Sequence, residues 1–580
     1  MFIDYKNSHL LVHEEANESF IKLKSVTTFN FCPTLVGNTY SIPFISLDKL
    51  ILACKLLKYP TRFSDQLKQV HKIISQKRLT LEQIKLGNYP QTLEISDIIN
   101  FLNTFEKDSG FKLTQGQRDT VVFSIYGRRV LIANEVGTGK TLVANLVLKY
   151  LLSKGWIRKA LILTPAPLVR NYYEDYIKFF GKDGIVQIQK QIKIKRNEQY
   201  RKFAGFDNIN FLVTNYEKCL YDYSYLRNLN IDAIVTDEFH YMKNFVEAQR
   251  SINFFEMLTK WNPKYRLTMS GTPIENKLFD LYPVFKMLDE GITLGGQKYF
   301  ESNFIKFETK ALKIYKNKKQ ILIWKTEATG FKKENLGDLK RLARPLVIRC
   351  PLLLPTKCSI NDIFFTMTPK AKDAYEDIFL RETEGSAKYH ACRQFLCDPT
   401  REKVTDSPKL DMLENILTQT SSKVLIFSFY KCSMKYIGDF LTSKGLKFIE
   451  VSGDTKEEAT VSVNKFKADP DIKCLICTDK VNYGQNIQCA KIVINWEHPL
   501  KPTTLEQRIG RTYRTGQDTD VAVYNFCTED TVEEIIYKNL LEKKDIINRA
   551  IKNIDSPEIL EEIEGDIEEK VMKTFLSSRN

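Results

Sequence analysis

The chain has 580 residues, 43% of them hydrophobic and 27% charged, with a formal net charge of +15. That length exceeds one core and implies roughly two to four domains, and the composition excludes wholesale disorder. No apolar run reaches the roughly 18 residues a membrane helix needs, and the opening "MFIDYKNSHLLVHEE" lacks the form of a secretory signal. The positive charge favours polyanionic partners without saying where they bind. Twelve cysteines are scattered almost singly. The one C-x-x-C pair, Cys474 and Cys477, lies in "IKCLICTD", an apolar run that reads as a buried strand, and no second pair or suitably spaced histidines accompany it. Core cysteines, no structural zinc, no membrane and an intracellular reducing compartment (cytoplasm, or nucleus in a eukaryote) are therefore expected.

Residues 1–107 read as a small α+β accessory domain, with strands in "SFIKLKSVTTFNF" and "TYSIPFISL" and a helix in "DKLILACKLL". Residues 108–350 change character: apolar strands such as "RRVLIAN", "KALILTP", "NINFLVTN", "IDAIVTDE" and "YRLTMSGTP" alternate with amphipathic helices. Strands apolar throughout, each followed by a helix, predict a parallel sheet covered on both faces. A second such series, "SKVLIFSF", "LKFIEVSG", "IKCLICTD" and "AKIVINW", places another lobe in 351–552, ahead of a tail at 553–580. Between the two series, 278 to about 420 reads as helical and irregular insertion, including the basic stretch "KALKIYKNKKQ". The predicted fold is thus α/β, with two parallel-sheet lobes, helical insertions and the accessory domain.

Three stretches carry chemistry. "VLIANEVGTGKT" is a strand running into a glycine-rich loop, Gly137, Thr138 and Gly139, followed by Lys140 and Thr141. Such a loop turns backbone N–H groups toward phosphates at a helix amino terminus, with the lysine on the β- and γ-phosphates and the threonine hydroxyl on magnesium. Asn134 stands where the usual pattern has its first glycine. "IDAIVTDEFH" ends a strand on Asp237 and Glu238. Asp237 suits a magnesium ligand, and Glu238 suits the group that orients and deprotonates an attacking water. "LEQRIGRTYRTGQ" spaces Arg508, Arg511 and Arg514 three apart, so that on a helix they would repel unless an anion or water lies between them.

In order, "LTQGQ", "NEVGTGKT", "LILTPAPL", "VTNYE", "DEFHYMKN", "LTMSGTPIEN", "VLIFSF", "ICTDKVNYGQNIQ" and "LEQRIGRTYRTGQ" resemble the motif series of helicase superfamily 2. "SGTPIEN", the Lys243–Asn244 pair and the closing "TGQ" are similar to the SNF2 (Swi2/Snf2-like) double-stranded-DNA translocases in particular, as are "SPKLDMLENIL", "HACRQFLCDP" and "TEDTVEEIIYKNLLEKK". The resemblance spans about 110 to 550. It implies two RecA-like lobes that hydrolyse ATP with Mg2+ between them, step along duplex DNA and work as the motor of a larger complex. By matching position it implies Gln117 on adenine, Gly484 and Gln507 in the nucleotide site, and Arg511 and Arg514 as arginine fingers. It implies His240, Ser270 and Thr272 as couplers, and Thr164, Thr214, Lys243, Asn244, Ser428 and Thr478 as phosphate contacts on DNA. Arg508 falls at a variable position and is expected at the surface or in lobe packing.

The chain departs from that family at Asn134–Glu135, where an acidic pair is usual. It departs again at "KVNYG", which keeps only Gly484 of a glycine-rich run, and at Leu500–Pro502, "LKP" in place of "WNP". A strand-separating DNA or RNA helicase is the alternative reading, and a scaffold without turnover is disfavoured by the intact Lys140, Asp237, Glu238, Arg511 and Arg514.

Overall fold

The computed structural model describes residues 2–6, 9–13, 34–36, 39–43, 50, 54, 62–189, 192–242, 244–271, 281–316, 319–382, 385–452, 459–479, 486–552 and 574–575. The expected strand "SFIKLKSVTTFNF" lies outside them, as does "DKLILACKLL" apart from Leu50 and Cys54. At the amino terminus, β1 (Phe2–Lys6), β2 (His9–His13), β3 (Thr34–Val36), β4 (Thr39–Pro43) and β5 (Arg62–Phe63) form a sheet in the order β3-β4-β2-β1-β5. Its pairs are antiparallel except β1 with β5.

The next sheet is built from β6 (Arg129–Ile132), β7 (Ala160–Thr164), β8 (Ile185–Ile188), β9 (Phe211–Asn215), β10 (Ala233–Asp237) and β11 (Tyr265–Met269). A ribbon follows, β12 (Ile305–Lys316) paired with β13 (Lys319–Phe331), and then β14 (Val347–Ile348) returns to the sheet edge. The order is β14-β6-β11-β10-β7-β9-β8, parallel throughout. β7, β9 and β11 are buried at every position, because "ALILT", "FLVTN" and "YRLTM" have covered neighbours on both faces. The helix Lys140–Ser153 packs Val143, Val147 and Leu151 into the same core as Val130, Ile132 and Ile162.

The ribbon corrects the expectation of helical and irregular structure in this insertion. Its strands pair antiparallel along their length, from Ile305 with Phe331 to Lys316 with Lys319, and among the described residues join no other strand. Lys306, Lys310, Lys313 and Lys316 recur at helical spacing, but Ile, Tyr, Thr and Phe between them favour extended backbone.

The third sheet comprises β15 (Cys358–Phe365), β16 (Lys423–Phe427), β17 (Lys447–Val451), β18 (Ile472–Cys477), β19 (Ala490–Asn495) and β20 (Val521–Thr528). Their order is β15-β20-β19-β16-β18-β17, again all parallel. Val424 and Ile426 enter one apolar core, Leu425 and Phe427 another, so each face of the sheet is covered. Cys474 and Cys477 are buried within β18, where burial pushes the Cys474 thiol up to about 12 and Cys477 well above its usual value. The chain forms two compact units: the amino-terminal sheet, the seven-stranded sheet and the ribbon belong to one, and the six-stranded sheet to the other. Among the described residues, no helix is long and apolar enough to cross a membrane.

In the second unit, the helices Pro408–Gln419 and Val532–Lys552 are joined by a buried ion pair, Lys409 Nζ to Glu533 at 2.7 Å. Lys409 also donates to the Trp496 carbonyl, and Glu533 accepts the Thr528 N–H. Burial works against the ammonium, but Glu533, Cys397 and Glu497 outweigh it and raise the Lys409 pKa. Neutralising one partner leaves a buried charge alone, which typically costs about 3–5 kcal/mol. Glu533→Gln is therefore expected to lower the melting temperature of the second unit in calorimetry; an unchanged transition would contradict the role given to this pair.

Candidate functional site

β6 leads into the glycine-rich loop, and the helix Lys140–Ser153 leaves it. Gly137 (φ 87°) and Gly139 (φ 80°) occupy left-handed backbone, which glycine adopts without steric penalty. The Thr138 hydroxyl donates to the Glu135 carbonyl at 2.8 Å, tightening the turn. The Lys140 ammonium donates to the Asn134 carbonyl at 2.9 Å. Asn134 itself is buried, and its side chain explains the missing glycine. Its Nδ2 donates to Thr120 at 2.9 Å, and its Oδ1 accepts the Cys350 N–H at 2.9 Å. The residue thus ties the loop to the helix Gln115–Gly127 and to the segment after β14, which a glycine could not do.

The sheet order puts β11 between β6 and β10, and Ser270, just past β11, bonds to the residues at both flanking strand ends. Its N–H donates to the Ile132 carbonyl at 3.1 Å, and its hydroxyl donates to Glu238 Oε2 at 3.1 Å. The phosphate loop, Ser270 and the acidic pair therefore share the carboxyl edge of adjacent parallel strands, where open α/β sheets bind ligands. Glu238 holds a left-handed φ of 52°, unusual for a residue with a side chain, and its N–H donates to the Met269 carbonyl. Beneath Asp237, the Tyr216 hydroxyl donates to the Asp237 carbonyl at 2.6 Å. Burial first, and then the Asp237 charge, push the Tyr216 and Tyr172 phenols well above their usual values, so both stay neutral.

Gln117 is buried in a capping box: its Oε1 accepts the Thr114 N–H, and its own N–H donates to the Thr114 hydroxyl. Thr164 and Thr214 are fully buried, Thr214 donating to the Ile188 carbonyl at 2.7 Å, while the Thr164 hydroxyl has no hydrogen-bond partner among the described residues. Asn244 is exposed and pairs with Glu247. Lys243, Thr272 and Gly484 lie outside the described residues, as does the side chain of His240.

In the second unit the three arginines do not share a helix face. The helix Pro502–Ile509 ends before Arg511 and Arg514, which follow in turns. Arg508, expected at the surface or in lobe packing, is fully buried, which corrects the first of these alternatives. Its Nε and one terminal nitrogen donate to Asp479 at 2.6 and 3.0 Å; the other donates to Asn495 Oδ1 at 3.0 Å and the Glu497 carbonyl at 3.2 Å. Burial disfavours the charge, but Asp479 and Glu497 outweigh it and raise the Arg508 pKa. The repulsion among the arginines is thus met for Arg508 by a protein carboxylate.

Arg511 is buried, its Nε donating to the Gln507 carbonyl at 3.1 Å, and Arg514 is partly exposed. Ser428 is fully buried, donating to Glu497 Oε2 at 3.0 Å, whereas Thr478 is partly exposed with its N–H on the Val451 carbonyl. Sequence reasoning missed Asn134 as a tie and Asp479 and Glu497 as partners. The available signal was an acid directly following an apolar run, in "CLICTD" and "KIVINWE", the same signal that marked Asp237.

The SNF2-related domain family matches residues 55–381, and the helicase conserved C-terminal domain matches residues 408–516. The chain is 27% identical over 464 residues to the uncharacterized ATP-dependent helicase YqhH of Bacillus subtilis, covering 75% of this chain and 78% of that protein. It is 24% identical to the mouse chromodomain-helicase-DNA-binding protein 1-like, over 73% of this chain but only 48% of that one. The Sulfolobus solfataricus SWI2/SNF2 ATPase core, solved in complex with dsDNA, aligns with 76% of this chain and 93% of its own at 20% identity and a TM-score of 0.36. That score is too low to bear on the fold, which rests on the two parallel sheets. With one family matching more than half of its length, the chain belongs to the SNF2-related family of ATP-dependent helicases and is an ATP hydrolase.

Proposed function

We propose that this chain is a translocase on double-stranded DNA, the motor of a larger complex, driven by ATP hydrolysis. The observation that carries the reading is the Ser270–Glu238 bond on the strand edge that bears the phosphate loop. It supports a carboxylate held in a fixed orientation beside a phosphate cradle, as a water-activating base requires.

The residues fit a magnesium nucleotide. Gly137 and Gly139 adopt the backbone that a phosphate cradle needs, and the helix Lys140–Ser153 presents its amino terminus there. Magnesium, which takes one or two protein ligands and completes its shell with phosphate and water, would sit on Thr141 and Asp237 and neutralise phosphate charge. Lys140 exchanges the Asn134 carbonyl for the β- and γ-phosphates, so the lysine is held close to its working position before the nucleotide arrives. Thr138 holds the loop turn, and Gln117 and Gln507 frame the nucleotide. Glu238 orients the attacking water and takes its proton. Arg511 and Arg514 supply charge to the γ-phosphate, and Gly484 belongs to the same nucleotide site.

His240, Ser270 and Thr272 link the nucleotide site to DNA. Lys243, Asn244 and Thr478 offer donors to the phosphate backbone, which they grip without reading sequence. Thr164, Thr214 and Ser428 face inward here, so their hydroxyls reach a phosphate only by turning outward, and for Thr214 and Ser428 only by giving up internal bonds.

Glu238→Gln is expected to abolish ATP hydrolysis while leaving ATP affinity intact, as read by nucleotide binding and phosphate release; undiminished release would mean another group handles the water. Arg511→Ala and Arg514→Ala should each lose turnover by about 10³-fold, the scale of arginine fingers elsewhere. Wild-type rates in either variant would remove that arginine from the site.

A further inference from the structure

The second unit buries a guanidinium, that of Arg508, which the proposed ATP and DNA contacts do not include. Arg508 lies beneath the carboxyl ends of β16, β18 and β19, stacked 5.2 Å from the Phe427 ring. It reaches the residue after one candidate DNA contact and the hydrogen-bond partner of another. Asp479 follows Thr478 after β18, and Glu497, whose carbonyl Arg508 holds, binds the Ser428 hydroxyl and the Phe429 N–H with its carboxylate. The backbone of Arg508 is joined to a finger: its carbonyl accepts the Arg511 N–H at 3.2 Å.

Ile487 and Gln488 are bonded to the same segment as well. The Ile487 N–H donates to the Arg511 carbonyl at 2.9 Å, and Gln488 Nε2 donates to the carbonyls of Arg514 and Thr515 at 3.4 and 3.3 Å. Asp479, and Ile487 with Gln488, are therefore each bonded to the arginine segment. The arginine segment cannot shift without moving Thr478's neighbour, and the reverse holds equally.

A buried ion pair is a weak source of stability, because desolvation offsets most of its attraction, so stability alone is a poor reason to place one here. A forked guanidinium fixes orientation, which a hydrophobic pair of equal volume would not. We propose that Arg508 and Asp479 form a positioning pair that couples DNA engagement at the Thr478 and Ser428 loops to the placement of Arg511 and Arg514. The inference rests on the reading of this chain as a DNA-coupled ATPase. Lys409–Glu533 provides an internal comparison, a buried ion pair of the same unit that holds the Trp496 carbonyl and the Thr528 N–H instead.

The test measures ATP turnover of the full chain without DNA and with saturating linear duplex, alongside duplex affinity and melting temperature. Arg508→Ala and Asp479→Asn each leave a buried charge alone and can lower stability. The double variant Asp479→Asn/Arg508→Met removes both charges of the pair at similar volume, leaves Glu497 with Arg393 and Lys409, and is expected to melt above either single variant. Its DNA-stimulated turnover should nevertheless fall by about tenfold to a hundredfold, the scale on which misplacement of catalytic groups acts, with basal turnover and duplex affinity unchanged. Arg508→Lys, which keeps the charge but loses the fork, should show the same split, whereas Glu533→Gln should lower stability and keep full stimulation. Full stimulation in the double variant, or in Arg508→Lys, overturns the positioning role. Wild-type turnover indifferent to duplex would instead sink the DNA-coupled reading itself, an outcome read on the wild type alone.

Discussion

A parallel sheet covered on both faces can accept charge only where its strands end, and the chemistry of this chain follows from that constraint. In the first large sheet, β7, β9 and β11 have no exposed position, and the polar groups gather past β6, β10 and β11 as the glycine-rich loop, Asp237–Glu238 and Ser270. In the second, the ends of β16, β18 and β19 collect Ser428, Thr478–Asp479 and Glu497 around a buried arginine. Hydrogen bonds that reach from one strand end to the next then turn separate residues into a site.

The departures from the usual family pattern become intelligible at this level. Asn134 replaces a glycine yet leaves the loop its two left-handed glycines, and its side chain joins the loop to Thr120 and Cys350. Its carbonyl meanwhile holds Lys140. Glu238 adopts a backbone conformation that costs of order 1 kcal/mol or more for a non-glycine residue, and bonds to Met269 and Ser270 hold it there.

Where each pattern was local, it could be read in advance. The parallel strands were legible because a doubly covered strand is a continuous apolar run, and the glycine-rich loop and acidic pair because their residues are adjacent in sequence. The ribbon Ile305–Phe331 was not, since its lysines recur every three or four residues and imitate a helical face. Arg508 was hidden for another reason: its acid partner Asp479 is 29 residues away in sequence, and only the pairing of β16 with β18 and β19 brings the strand ends together. By spacing alone the three arginines are equivalent; in the structure Arg508 and Arg511 are both buried, Arg508 against Asp479, and Arg514 is partly exposed.

The central claim is that ATP hydrolysis drives motion along intact duplex DNA. The most direct measurement offers the full chain, with magnesium and ATP, a duplex carrying a third strand bound in its major groove, and a forked duplex in parallel. The account predicts ATP-dependent release of the third strand with both duplexes left paired. Separation of the forked duplex, or a third strand left in place while ATP is consumed, would contradict it.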